Sequence, residues 1–247
     1  MNIISNAIVG QSGGPTAAIN ASLAGVIKAA CQSEKIDTLY GMLNGISGMM
    51  EERIIDLSAL GKDEARLSLL SKTPASFLGS CRFKLPEEDG PLYDKLFDIL
   101  EKYNIRFFFY IGGNDSMDTV CKLSALAEKK GKDIRFVGVP KTIDNDLPGT
   151  DHAPGFGSAA KYIASTVREI SADSSVYNVN SVTVVEIMGR NAGWLTGASA
   201  LSRCKGLGPD LIYLPERTFH FSEFYDDIAA VSKQKKKEPF LKEKALF

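Results

Sequence analysis

Short apolar runs rich in Val, Ile, Phe and Tyr alternate along the chain with longer segments whose apolar residues recur every three or four positions. That alternation is the pattern of a parallel sheet built from crossover units. It predicts strands at 6–9, 38–41, 107–111, 136–139, 182–187 and 211–214. Helices are predicted at 17–30, 93–102, 117–130, 158–171 and 192–202, the first presenting Ile19, Leu23, Val26 and Ile27 on neighbouring turns. The expected fold class is therefore α/β, with mostly parallel, doubly wound sheets. The stretch LPGTDHAP at 147–154 has two prolines and a glycine and can continue neither a helix nor a central strand. Two lobes are expected on either side of it, 1–147 and 148–247, with no internal repeat at a fixed period.

Composition narrows the class. The 29 Lys and Arg against 30 Asp and Glu leave a formal charge of -1, which gives no electrostatic reason to expect nucleic acid or an anionic membrane as a partner. With 44% hydrophobic and 24% charged residues, whole-chain disorder and collagen-like repeats are excluded. Cys31, Cys81, Cys121 and Cys204 form no CxxC pair, and His152 and His220 are the two histidines. A zinc cluster and a disulfide scaffold are disfavoured, and a reducing compartment fits. The N-terminus lacks a basic start, its apolar stretch breaks at Gly10, and no run approaches the ~18 apolar residues of a membrane span. A cytoplasmic protein without a targeting segment is expected. The run KQKKKEPFLKEK at 233–244 reads either as a basic nucleic-acid patch or, since it contains acids and adjoins a helical pattern at 222–231, as a solvated helix end.

In open parallel sheets ligands bind beyond the carboxyl ends of the strands, and polar, glycine-rich segments follow almost every predicted strand here. GQSGGPTAAIN at 10–20 lets the backbone approach a ligand at Gly13 and Gly14 before a helix N-terminus, which suits an anion; a tight turn without ligand is the other reading. It matches neither a dinucleotide fingerprint nor a Walker loop. GGNDS at 112–116 repeats the design. Ser116 and Asp115 there are either a helix cap and a dipole partner, or, with Asn114, oxygen groups for magnesium. PKTIDNDLPG at 140–149 concentrates Lys141, Thr142, Asp144, Asn145 and Asp146. Two carboxylates two residues apart can divide labour between proton and cation while a lysine meets a phosphoryl group; the alternative is a loop of Asx-turns. Arg190, next to Gly189, could fork onto phosphate or sugar oxygens. Glu216 with Arg217 could bind a polyol or form a surface pair, and Arg82 in GSCRF is a phosphate clamp or a surface charge.

Taken together, SGGP at 12–15, GGNDS, PKTIDND and MGR at 188–190, in this order and with these gaps, resemble the phosphofructokinase family from about residue 6 to residue 219. The resemblance implies magnesium-assisted transfer of a phosphoryl group to the 1-hydroxyl of fructose 6-phosphate in glycolysis. It implies Asp144 as general base, with Thr142, Ile143, Met188, Gly189, Arg190 and Glu216 around the sugar phosphate. Gly13, Arg82 and Gly113 would hold the donor phosphates, and Asn114 and Asp146 would stand at the metal. The 1–147 lobe would carry the donor site and catalytic loop, and 148–247 the sugar-phosphate site.

Departures from the ATP-using pattern bear on the donor. That pattern is GGDGS; here Asn114 takes the position of the metal-associated Asp, and Asp115 replaces the following Gly. A carboxylate at 115 puts charge and bulk where the α-phosphate of ATP would lie. This resembles the pyrophosphate-dependent branch, in which such an Asp excludes ATP and a lysine at the place of Lys141 stabilises the phosphoryl group in transit. Asp118 and Thr119 also depart from the ATP pattern, and Ser181 stands where that pattern often carries an arginine reaching a neighbouring subunit. The expectation is reversible transfer from diphosphate, in a homo-oligomer, dimer or tetramer. The alternatives are an ATP-dependent enzyme and an inactive sugar-phosphate-binding subunit or fragment. Members of the family are longer, so a C-terminally incomplete sugar-phosphate lobe is also expected.

Overall fold

The computed structural model describes residues 4–176, 179, 181–237 and 245–246. Contacts divide the chain into two compact units, Met1–Thr142 and Ile143–Phe247. In the first, β1 (Ser5–Gln11) leads to α1 (Ile19–Gln32), β2 (Ile36–Met42), α2 (Gly45–Met50), β3 (Ile54–Asp56), α3 (Ser58–Gly61) and α4 (Glu64–Lys72). There follow α5 (Pro91–Lys102), β4 (Ile105–Gly112), α6 (Asn114–Lys129) and β5 (Arg135–Pro140). The strands form one sheet in the order β3-β2-β1-β4-β5. All neighbours are parallel except β3, which closes the edge antiparallel to β2.

Strand periodicity sorts the side chains into two cores, because successive residues point to opposite faces. Ile8, Phe108 and Tyr110 pack with Leu96, Phe97 and Leu100 of α5 and with Leu123 and Leu126 of α6. Ala7, Val9, Leu39 and Ile111 pack on the other face with Ile19, Leu23 and Ile27 of α1 and Leu67 and Leu70 of α4. Helices thus cover both faces, the doubly wound arrangement that the pattern predicts. Phe108 is completely buried, with its ring centroid 5.9 Å from Tyr110 and 5.2 Å from Phe136.

The second unit contains α7 (Phe156–Ser175), β6 (Thr183–Val184), α8 (Trp194–Ala198), a 3₁₀ helix at Ser199–Lys205, α9 (Phe221–Lys237) and β7 (Ala245–Leu246), with β6 and β7 paired in parallel. Three expectations are corrected here. The strand expected at 182–187 shrinks to two residues, and 211–214 is not in a strand. Val182 and Val184 are 50% and 65% exposed; β-rich composition makes a strand only where a neighbour buries and pairs it. The helix expected at 192–202 becomes α8 followed by the tighter 3₁₀ helix. There the Ser199 and Ser202 hydroxyls donate to the carbonyls three residues back, at 2.5 and 2.6 Å, matching the three-residue turn. The basic run begins at the C-terminal end of α9, where Lys233 is exposed and Lys235 pairs with Asp210 at 2.6 Å; residues 238–244 lie outside the described residues. Among the described residues no helix is long and apolar enough to cross a membrane.

Replacing Phe108 by alanine removes a ring from the packed centre of the first unit and is expected to lower stability by about 3–5 kcal/mol. Chemical denaturation followed by circular dichroism checks this; an unchanged midpoint would mean that this core does not limit unfolding.

Candidate active site

The chain leaves β1 towards β2 and leaves β4 towards β5, so the crevice of this sheet opens between the carboxyl ends of β1 and β4. Register brings the ends level: Gly10 stands opposite Tyr110, Ile111 opposite Val139, and Gly112 opposite Pro140. The loops that follow, carrying Gly13, Gly113 and Lys141, therefore emerge together. Lys141 is 4% exposed and its Nζ donates to the Gly14 carbonyl at 2.7 Å. Its own N–H donates to the Gly112 carbonyl at 2.8 Å. Gly13 has φ 77, and a Cβ there would sit 3.2 Å from Lys141 Nζ, so this glycine serves both the turn and the close approach of the ammonium.

Ser116 joins two of these loops. Its hydroxyl, 2% exposed, donates to Ser12 Oγ at 2.9 Å, and any side chain at Gly112 would overlap it. Ser116 is therefore not the cap of α6. Gly113 holds that position, and the helix starts three residues earlier than its pattern suggests. Asn114 and Asp115 consequently occupy the first helical turn, both exposed, with Asp115 at the positive end of the dipole. Thr119 is buried, its hydroxyl donating to the Asp115 carbonyl at 2.9 Å, and Asp118 pairs with Lys122 at 2.8 Å.

On the other side of Gly13, its N–H donates to the Cys81 carbonyl at 3.1 Å and its carbonyl accepts from Ser80 Oγ at 2.5 Å. Arg82 follows immediately and is exposed. Beneath this loop lies Tyr110, whose hydroxyl accepts from the Ile46 N–H at 3.5 Å and stands 3.6 Å from Cys81 Sγ. Burial pushes this phenol far up from its usual range, and the nearby Cys81 thiol adds to the rise. It remains a neutral hydroxyl. The Lys141 ammonium and the α6 N-terminus thus give this end of the first unit the means to hold an anion.

In the second unit, Asn145 organises the loop between its two aspartates. It adopts left-handed backbone at φ 57, is 5% exposed, accepts from the Ala153 N–H at 2.7 Å and donates to the Asp151 carbonyl at 3.1 Å. Asparagine tolerates that conformation better than other side chains. Ile143, Asp144 and Asp146 beside it are half-buried. Met188, Gly189 and Arg190 form a turn in which the Ala192 N–H donates to the Gly189 carbonyl at 2.9 Å, leaving Met188 and Arg190 exposed. Glu216 joins this turn, since its Oε1 accepts from the Gly193 N–H at 2.7 Å.

The structure thus brings Gly13, Gly113 and Lys141 together in one unit, and the Met188–Arg190 turn together with Glu216 in the other. Ser116, expected as a helix cap, bonds Ser12 instead; the sequence reading missed Ser12 and Ser80, whose partners are remote in the chain, and the structural part played by Asn145. Its position inside an Asx-rich loop was the available signal for the last. Among the described residues no group of three His, Cys, Asp or Glu could hold a metal ion. Magnesium, which keeps several waters and binds through one or two carboxylates plus substrate phosphates, does not need such a cage.

The phosphofructokinase family model matches residues 6–242. The chain is 46% identical over 227 residues to the pyrophosphate–fructose 6-phosphate 1-phosphotransferase of Xanthomonas campestris, covering 89% of this chain and 53% of that protein. It is 46% identical over 220 residues to the protein of the same name from Halomonas elongata, covering 87% and 52%. The crystal structure of a pyrophosphate-dependent phosphofructokinase from Nitrosospira multiformis superposes with a TM-score of 0.83 at 38% identity, over 98% of this chain and 59% of that one. The chain spans about half the length of the curated relatives it matches.

Asn145→Ala should release the Ala153 N–H and the Asp151 carbonyl and place alanine in left-handed backbone. A loss of about 1–3 kcal/mol is expected, measured by denaturation, with faster amide hydrogen exchange at Ala153. Unchanged exchange there would show that the loop is held by other means.

Proposed function

The chain belongs to the phosphofructokinase family, and on that premise we propose that the protein transfers a phosphoryl group reversibly from diphosphate to the 1-hydroxyl of fructose 6-phosphate, giving fructose 1,6-bisphosphate and phosphate. The observation that carries the donor assignment is Asp115, exposed on the first turn of α6 beside the anion-binding loops. The helix end welcomes a compact diphosphate, while a fixed carboxylate there repels the continuing phosphate chain of a nucleotide. The names carried by the relatives from Xanthomonas campestris and Halomonas elongata support the same donor.

In this proposal Gly13, Gly113 and Arg82 receive the diphosphate, and the buried ammonium of Lys141 meets the charge of the phosphoryl group in transit. Asp144 accepts the proton of the 1-hydroxyl. Thr142, Ile143, Met188, Gly189, Arg190 and Glu216 bind the sugar phosphate, Arg190 through its guanidinium fork. A divalent ion, magnesium, would neutralise diphosphate charge as the substrate's own chelate, with Asn114 and Asp146 as its protein contacts. Phosphoryl transfer leaves little covalent work for the protein, so positioning and electrostatics account for the rate.

The direct test is formation of fructose 1,6-bisphosphate with magnesium and either diphosphate or ATP as sole donor. Turnover with diphosphate is expected, and turnover with ATP alone would overturn the donor assignment. Asp144→Asn should lower kcat by about 10²- to 10⁴-fold; a near-normal rate would remove its role as base. Asp115→Gly should raise the use of ATP relative to diphosphate in competition assays, and an unchanged preference in a folded variant counts against the exclusion mechanism.

A further inference from the structure

Gln11, the last residue of β1, is completely buried, and both ends of its side-chain amide are engaged. Its Nε2 donates to the Ile19 carbonyl at 3.2 Å and to Asn20 Oδ1 at 3.0 Å. Its Oε1 accepts from the Leu78 N–H at 2.9 Å and shares the single hydroxyl hydrogen of Ser76, 3.0 Å away, with the Gly79 carbonyl at 2.5 Å from Ser76 Oγ. Asn20, 2% exposed, extends the network: its Oδ1 also accepts from the Phe77 N–H at 2.9 Å, and its Nδ2 donates to the Thr73 carbonyl at 3.0 Å. Two buried amides thus tie the end of β1 and the start of α1 to one segment, 73–80, that has neither helix nor strand of its own.

Hydrophobic packing alone gives no reason for such a network. A leucine would fill the space of Gln11 without the cost of desolvating an amide, so the hydrogen bonds earn their place by fixing geometry. What they fix leads directly to the donor loops. Beyond Leu78 the segment continues through Ser80, whose hydroxyl donates to the Gly13 carbonyl, and Cys81, whose carbonyl accepts from the Gly13 N–H. Asn44 braces it from the far side, its N–H donating to the Leu78 carbonyl at 2.8 Å and its Nδ2 to the Ser80 carbonyl at 3.3 Å. Arg82 is the next residue. Neither Gln11 nor Asn20 is exposed to a ligand, yet Gly13 is bonded to the segment they hold and Arg82 follows it directly.

We propose that Gln11 and Asn20, with Ser76, form a positioning clamp for the phosphoryl donor, setting the place of Gly13 and Arg82 and leaving the sugar-phosphate groups untouched. The proposal rests on the diphosphate reading of this site and adds to it residues that do not touch substrate. Loosening a segment that carries a charged contact costs binding of the ligand it meets, by about tenfold or more when one hydrogen bond to a charged group is lost.

Steady-state kinetics of the purified protein test it through the variants Gln11→Leu, Ser76→Ala and Ser76→Thr. Ser76 is only partly buried, so Ser76→Ala keeps the test open should Gln11→Leu fold poorly. The expected result is a rise of about tenfold or more in KM for diphosphate with Ser76→Ala, a KM for fructose 6-phosphate within about twofold of the parent, and recovery of the diphosphate KM in Ser76→Thr, which keeps the hydroxyl. A fall in thermal midpoint with both KM values unchanged would reduce the network to a structural role and overturn the proposal. So would an equal rise in both KM values, or no recovery with threonine. The parent rate with diphosphate judges the functional reading, whereas the ratio of variant to parent judges the clamp. If the parent turns over only ATP, the same ratio is read from its KM for ATP; if it turns over neither, from calorimetric titration with diphosphate.

Discussion

Parallel pairing of β1 with β4, combined with crossovers that depart in opposite directions, constrains everything that follows in the first unit. Neighbouring strands whose connections diverge leave a gap at their carboxyl ends that no connection can bridge. Glycines and small hydroxyl residues line the gap because three loops must share it: Gly13 must turn, Gly112 must leave room for Ser116, and Lys141 must reach back to the Gly14 carbonyl. The positive charge of the site is thus placed by the sheet rather than by a flexible surface side chain. The same constraint explains why the hydrophobic core contains Tyr110 rather than a further phenylalanine at the strand end, since its hydroxyl lies under the gap and meets the Ile46 N–H and the Cys81 thiol.

Away from that gap the architecture relies on ordinary burial. The aromatic run of β4 serves both faces in turn, with Phe108 against α5 and α6 and Ile111 against α1. The second unit uses more local devices. Asn145 shapes its loop with one side chain, Glu216 holds the turn after Gly189 through a single backbone amide, and the serines of the 3₁₀ helix bond within their own turn. Its exposed residues include Val184, Met188, Trp194 and Phe221.

Much of the first unit was legible from the chain alone. Strands such as 105–112 carry their signal locally, because the continuous apolar run of a strand covered on both faces and the flanking helical periods are both written in adjacent residues. The short pieces were not: β3 has three residues, and α2 contains two glycines in six. Asp63, which caps α4 by accepting the Arg66 N–H at 3.0 Å, was a readable start signal. In the second unit, composition suggested strands at 182–187 and 211–214 that their surroundings do not complete. The motif residues were legible as types in the right order, since Lys141, Asp144 and Arg190 belong to dense polar loops after apolar runs. Pairings across long separations, Ser12 with Ser116 or Gln11 with Ser76, leave no periodic trace and required the fold.

The Ser12–Ser116 hydrogen bond joins two uncharged hydroxyls in a buried place, whereas the attraction that this end of the sheet offers an anion is Coulombic. Dissolved salt acts on the second and hardly on the first, with a screening length of about 8 Å at physiological ionic strength. The spacing of the loops is therefore insulated from the ionic medium even as the Coulombic attraction around them is not: raising ionic strength leaves the cradle intact and makes it a weaker magnet.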